Sequence, residues 1–581
     1  MLLGPIFRVE LVSVARRRRY FVLRVLYAAL ILFVLWATYS SSYYISTGTG
    51  RQSIRYAATL AASFFLSFSW LQILAILFVG PAMAAGTIAS ERERRTIEYL
   101  FATDLSNAEI VLGKTFARLT LLGQFVLVGL PILFLFRLLG GIPAEALLVT
   151  FLSAAGTAVM LTGMSIAVSV WSPKARDAVG RIYLLLIALI SLPPILYGLQ
   201  SARVFPDSVW QSILEPVVNW LVMLNPMSTL MHAMGSTSAL GIGIDMSQVL
   251  RAVGFQVLVA VGCLILATFA VRRVHLSETT RTAAKLAKLP VQRSRRLPGE
   301  RPMIWKEMYS STSATRMGRV GCVAMFIILF GMLAAAIWVF LQAITATEDW
   351  QRNNYFEFLA GLTGYLGCGM LLLLAARAAG LFSQEKERDT WISLLSTPLS
   401  GQEIILGKLC GNLYSARWML AILAVSWLLG LFLDPTSIWP MLATCFVFSL
   451  LACYATCLGL LFSLRSTTTL RAMGLTLGTL VFFGGGYLFC CCTVMASGGG
   501  GDAWAIMLAL CIPFLLVFPN IAFMTIGGSE FWTDGAMPVA FVMGMVCHLL
   551  ATFALYGHMV GYFDSYAGRT TSRPQGLNNL G

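Results

Sequence analysis

"AAGTIASERERRTIEYLFATDLSNAEIVLGK" at residues 84–114 and "AAGLFSQEKERDTWISLLSTPLSGQEIILGK" at 378–408 are one stretch written twice. An offset of 294 residues (84 to 378) aligns them without a gap, and sixteen of the 31 positions are identical. Roughly two would match by chance at ordinary residue usage. The register holds further on, pairing Ser169 with Ser463, Ser172 with Ser466, Ala178 with Ala472, Gly180 with Gly474 and Trp210 with Trp504. The starts are related more loosely, "FRVE" at 7–10 beside "WKE" at 305–307. The chain is therefore a duplicated unit.

The end of each copy invites a phosphate-loop reading, through Gly113-Lys114-Thr115. Such a loop reads G-x-x-x-x-G-K-[ST], because its first glycine lets backbone amides wrap the phosphates. That position holds Ala108 in the first copy and Gln402 in the second, and Leu409 follows Lys408. No other Gly-Lys pair occurs, so this sequence carries no nucleotide loop and no catalytic residue is assigned.

Of 581 residues, 58% are hydrophobic and 12% charged, against about 25% charged in soluble domains. That is the composition of a polytopic membrane protein. With about 20 apolar residues per span, candidate spans are 21–40, 60–82, 117–139, 145–171, 180–199 and 252–271, then 319–342, 356–380, 413–433, 438–464, 472–495 and 537–560. The expected fold is all-α, with twelve transmembrane helices as two six-helix repeats. Two further apolar stretches, 209–231 and 503–527, contain Pro226 and Pro513/Pro519 and read as re-entrant or interfacial. The first six-span unit occupies 1–271 with a coupling segment at 91–114. A basic linker follows at 272–304, then the second unit at 305–564 with its coupling segment at 385–408, and a polar tail at 565–581.

With the N-terminus inside, 35 of the 41 Lys and Arg fall on the cytoplasmic side, as the positive-inside rule requires. The net charge of +15 is then topological and meets anionic lipid heads rather than nucleic acid. Both termini are expected in the cytoplasm. Six spans per unit place both motif copies on that same side, which makes the halves parallel repeats. The first apolar run is too long for a signal peptide and shows no small-residue cleavage site. The cysteines, including Cys490-Cys491-Cys492, lie in apolar runs and read as packing residues. His232, His275, His548 and His558 form no ligand pattern, so no metal is expected.

Within the repeat, Ser90 followed by Glu93 reads as a capping box opening a short helix that carries Glu91, Glu93 and Arg94. "TDLS" (103–106) and "TPLS" (397–400) end it, and Ser106-x-x-Glu109 and Ser400-x-x-Glu403 cap the helix that enters the membrane. Gly113 and Gly407 allow close packing there, while Lys114 and Lys408 are expected to snorkel to the headgroups. Capping and membrane entry account for Ser106, Glu109, Gly113, Lys114, Ser400, Glu403, Gly407 and Lys408. The charged clusters with their following threonines, Glu91, Glu93, Arg94 and Thr96, then Glu385, Glu387, Arg388 and Thr390, read as docking sites for two copies of a soluble partner.

The E-x-E-R-x-T-x-x-x-L-x-x-T-x-L-S-x-x-E-I-x-L-G-K stretch resembles type-2 ABC transporter permeases, the exporter-like class related to sodium-efflux and gliding-motility permeases. The resemblance implies six spans per unit and an amphipathic N-terminal helix, here 4–19. It also implies a coupling helix between spans two and three, here 91–102 and 385–396, and re-entrant helices at 209–231 and 503–527. It implies a separate ABC ATP-binding subunit, in two copies, holding ATP and Mg, with export across a bacterial cytoplasmic membrane. No cofactor is expected on this chain. Fusion of the two units in one chain, and Asp389 opposite Arg95 and Trp391 opposite Ile97, depart from the pattern and imply unequal docking sites.

Two other readings compete. An ion- or proton-coupled secondary transporter would also show repeats, but it usually places ionisable groups mid-membrane, and these span centres are nearly free of charge. A membrane-embedded enzyme or assembly scaffold would need a reactive cluster that the apolar runs lack. The substrate is not written in the sequence.

Overall fold

The computed structural model describes residues 4–15, 18–43, 51–138, 144–201, 206–235, 246–286, 302–307, 314–345, 349–486, 508–525 and 536–568. These residues are almost entirely helical, and no strand occurs among them. The chain divides into two compact units, one mainly of residues 1–293 and the other mainly of residues 294–581.

The first unit opens with α1 (Gly4–Ala15), α2 (Arg18–Tyr43) and α3 (Arg51–Ala84). Two short helices follow, α4 (Thr87–Glu93) and α5 (Ile97–Phe101), then α6 (Asn107–Val128), α7 (Leu130–Leu138), α8 (Ala144–Val170) and α9 (Ala175–Ser201). The unit closes with α10 (Glu215–Leu224), α11 (Pro226–Gly235) and α12 (Met246–Leu286). The second unit repeats this order: α13 (Pro302–Trp305), α14 (Ala314–Thr345), α15 (Asp349–Ala378), α16 (Ser383–Glu387), α17 (Trp391–Leu395), α18 (Gly401–Tyr414), α19 (Arg417–Leu433), α20 (Ile438–Arg465), α21 (Thr469–Val481), α22 (Ile512–Thr525) and α23 (Ala536–Ala567).

Among the described residues, eight helices are long and apolar enough to cross a membrane, or nine if the bent pair α18 and α19 forms one span. Shorter apolar helices, Phe21–Trp36, Leu329–Thr345 and Thr469–Gly485, stand at three more of the positions expected to span. The fold is thus a polytopic all-α membrane protein. The third spans of the two units differ. α6 runs straight past the position where α18 stops, whereas α18 and α19 meet at 52°. Arg417 sits at that bend with its guanidinium 4.3 Å from the Tyr414 ring.

Over the stretch 209–231, helix runs from Asp207 through a π-helical turn at Trp210–Leu214 into α10, and is parted from α11 at Asn225. Asn225 secures the break: its side chain accepts from Met227 N at 3.0 Å and donates to Ile190 O at 3.3 Å. Residues 272–286, expected to begin the linker, continue α12 as helix. The rest of the linker up to 301, Trp504, Cys490–Cys492 and the tail after 568 lie outside the described residues.

Each unit has its own core. In the first, Phe64, Phe65 and Phe68 of α3 pack with Phe125 of α6. In the second, Tyr355 and Phe356 of α15 pack with Leu423 and Trp427 of α19 and Leu515 of α22. The polar tips buried there are satisfied, Tyr355 Oη donating to Ser426 O and Trp427 Nε1 to Thr363 Oγ1 at 3.1 Å. Small residues set the closest helix approaches. A Cβ built on Gly163 of α8 would lie 2.9 Å from the Ala260 backbone of α12, and one on Gly459 of α20 would lie 2.8 Å from Ala375 O of α15. Such small-residue contacts drive packing where apolar burial alone cannot.

Gly163→Leu should cost about 1–3 kcal/mol through overpacking and lower the melting temperature of the solubilised chain. Gly262→Leu, on α12 but facing open space, should leave it unchanged. Equal melting temperatures for the two variants would contradict the α8–α12 packing.

Candidate functional site

The repeated motif folds the same way in both units. α4 ends at Glu93 with Arg94 as its C-cap, and the next residue, Arg95, adopts a left-handed backbone with φ of 59°. Its counterpart Asp389 after α16 has φ of 56°, and these are the two non-glycine residues with positive φ among those described. A side chain there is strained, so the surroundings must hold the turn. Thr96 does so by bonding twice to Glu91 O, through its N at 2.9 Å and its Oγ1 at 3.2 Å. Thr390 makes the same pair to Glu385 O at 3.0 and 3.3 Å.

The coupling helix expected over 91–102 and over 385–396 is therefore two short helices bent at a fixed turn. The capping box expected between Ser90 and Glu93 does not form. α4 starts at Thr87 with no side-chain cap, and Ser90 Oγ donates to Thr87 O. The downstream boxes are present in both units: Glu109 N donates to Ser106 Oγ at 3.2 Å and Ser106 N to Glu109 Oε2 at 2.8 Å. Ser400 and Glu403 repeat this at 3.2 and 2.9 Å.

Lys114 and Lys408 do not snorkel. Lys114 is 2% exposed and Lys408 fully buried. The cause lies one residue earlier. A Cβ on Gly113 would lie 3.3 Å from Ile6 Cβ of α1, and one on Gly407 would lie 2.7 Å from Met303 of α13. The glycines thus let the unit's first helix lie directly on its third-span helix, and that helix roofs the lysine.

Each lysine then bridges two carboxylates from separate segments. Lys114 Nζ lies 2.9 Å from Glu10 Oε1 of α1 and 2.5 Å from Glu91 Oε1 of α4. Lys408 Nζ lies 3.2 Å from Glu307, just after α13, and 3.1 Å from Glu385 of α16. A further cation balances each cluster. Arg118 reaches Glu10 Oε2 at 3.1 Å in the first unit, and Lys306 reaches Glu385 at 3.3 Å in the second. At the position equivalent to Arg118 stands Asn412, which donates to Leu374 O and Thr456 Oγ1 instead.

The other charged residues of the motif are also anchors. Glu93 accepts from Ala175 N at 3.3 Å, and Glu387 accepts from Thr469 N at 2.7 Å and Thr469 Oγ1 at 2.8 Å. Both cap the first turn of the fifth span, where a helix dipole favours a carboxylate. Ser169 Oγ accepts from the backbone of Ile88 and Ala89, and Ser463 Oγ from that of Phe382 and Ser383. Arg92 donates to Val170 O, and Lys386 to Leu464 O.

The expected docking residues therefore separate. Glu91 and Glu385 are half-buried and Glu93 and Glu387 exposed, but all four bond within the unit and hold the segment, and the Thr96 and Thr390 hydroxyls bond within their own turn. Arg94 and Arg388 remain exposed. Beside them stand Tyr99, 77% exposed, and Ile392, 75% exposed. Sequence reasoning missed Glu10, Glu307 and Arg118 as partners of the lysines. The signal was a carboxylate in both loosely related starts, "FRVE" and "WKE". Among the described residues no group of three or more His, Cys, Asp or Glu could hold a metal ion.

Each unit is thus a helical membrane bundle with a braced, bent segment after its second span. Two family models, each described as ABC-2 family transporter protein, match residues 5–277 and 323–485. No curated protein matches the chain. The chain belongs to the ABC-2 family of transporter proteins and is a fused permease of two such units.

Lys408→Met leaves two carboxylates facing each other without their shared cation. It should destabilise the second unit by about 3 kcal/mol, read by thermal unfolding in detergent. Adding Glu307→Gln and Glu385→Gln to the same chain should recover most of the loss. A single variant as stable as the wild type would refute the bridge.

Proposed function

We propose that this chain is the complete membrane path of an ATP-driven exporter, powered by two copies of a separate ATP-binding subunit. ATP and Mg are held by that partner, and the chain lies in a bacterial cytoplasmic membrane with both termini and both coupling segments in the cytoplasm. The observation that carries the reading is the repeated bent segment. In each unit two short helices meet at a left-handed residue and expose a face, while their carboxylates are tied to the first helix and to the third and fifth spans.

That geometry suits force transmission. A displacement applied to the exposed face would pass through ion pairs and helix caps into the first helix and the third and fifth spans. Closure of the ATP-binding dimer would then move the third and fifth spans of each unit together. The separation of exposed face from internal brace also assigns different roles to residues that the sequence grouped as one docking cluster.

Affinity purification of the tagged chain, gently solubilised from its native host, should bring down a soluble ATPase with a phosphate loop at two copies per chain. Arg94→Ala with Arg388→Ala should reduce its recovery without changing the chain's melting temperature. Glu91→Gln should instead lower the melting temperature. Absence of any ATPase from the folded wild-type chain would overturn this reading.

A further inference from the structure

The two exposed faces of the coupling segments are built alike but differ in chemistry. At the left-handed turn the first unit exposes Arg94 and Arg95, two positive charges, whereas the second exposes Arg388 and Asp389, which cancel. On the short helix that follows, the first unit carries Glu98 and Tyr99 where the second carries Ile392 and Ser393. The Glu98 side chain is 59% exposed, with His275 Nε2 3.9 Å away. Ile392 is 75% exposed.

Trp391, next to Ile392, does not share that exposure. Its ring packs edge-on against Phe382 at 5.8 Å and lies under Lys386 Nζ at 5.3 Å. The ring serves as the floor on which α17 rests. Ile392 is thus left as a single apolar knob, held by a rigid helix.

We infer that the two faces grip one species of ATP-binding subunit by different forces, a salt-sensitive cationic contact on the first unit and a salt-resistant apolar contact through Ile392 on the second. The inference rests on the permease reading above and adds the chemistry of the partner. Its groove needs an acidic rim to complement Arg94 and Arg95, and an apolar pocket to take Ile392. A groove with the rim alone would repel Asp389 and leave Ile392 in water. One with the pocket alone would give Arg94 and Arg95 nothing to pair with. Exposed ion pairs weaken as the Debye length falls from about 10 Å at 0.1 M salt to about 3 Å at 1 M, whereas burial of an apolar side chain does not.

The test is a salt titration of the purified complex, counting ATPase copies per chain by native mass spectrometry. The wild type should lose one copy well before the other as salt rises. Arg94→Ala with Arg95→Ala should remove the early-leaving copy at low salt, each charge being worth roughly threefold in affinity. Ile392→Glu should weaken the salt-resistant copy by on the order of tenfold or more.

Arg95→Asp and Asp389→Arg exchange the turn residues between positions of the same backbone conformation, so the chain keeps its fold. Together they should transfer the salt sensitivity to the second unit. Equal melting temperatures across the set check that the braced framework is intact. Simultaneous loss of both copies from the wild type overturns the inference while leaving the permease reading in place. So does an Ile392→Glu variant whose remaining copy resists salt as the wild type's does. A wild-type chain that binds no ATPase at any salt overturns both.

Discussion

A lysine in an apolar interior is tolerated only when its charge is met. Lys114 and Lys408 are buried and each is met by two carboxylates drawn from different parts of its unit. Removing charges from water costs several kcal/mol per ion, and good geometry is required to recover it. The arrangement therefore specifies position more than it adds stability. It demands that the unit's first helix, the end of its second span and the start of its third span converge on one nitrogen. The close approach at Gly113 and Gly407, the strained turn at Arg95 and Asp389 and the caps on the fifth span all follow from holding that convergence.

Duplication preserved this framework and varied what surrounds it. Individual hydrogen bonds recur across the 294-residue offset: the serine that receives two backbone amides, the cation that bonds to the end of the fourth span, the threonine that closes the left-handed turn. The balancing cation moved from Arg118 within the third-span helix to Lys306 beside the first helix. The third span stayed straight in one unit and bent in the other. What is kept is the set of contacts that fixes the coupling segment, and what differs is either its outward face or the spans themselves.

Fold class was legible because it depends on long apolar runs and on a duplication that survives as identities in register. The capping boxes at Ser106 and Ser400 were legible too, since both partners lie within four residues. The role of the lysines was not. A lysine at the mouth of an apolar helix reads as snorkelling unless its roof is known, and the roof comes from α1 and α13, about a hundred residues away in sequence. The same distance hid the capping of α9 by Glu93, which a local pattern assigned to Ser90 instead. The exposed faces were misread for a related reason. Charge near a helix end signals display only when nothing in the fold requires it, and here four of the six charged residues expected to dock are used internally.

Amine reactivity of individual lysines in the folded, solubilised chain tests the convergence most directly. Lys306 is half exposed, whereas Lys114 and Lys408 are enclosed beneath their first helices. Brief treatment with an acylating reagent, followed by peptide mass spectrometry, should label Lys306 readily and leave Lys114 and Lys408 nearly untouched until the chain is unfolded. Labelling of Lys114 and Lys408 at the rate of Lys306 in the folded chain would contradict it, placing both amines at the membrane surface and removing the brace on which the coupling segments depend.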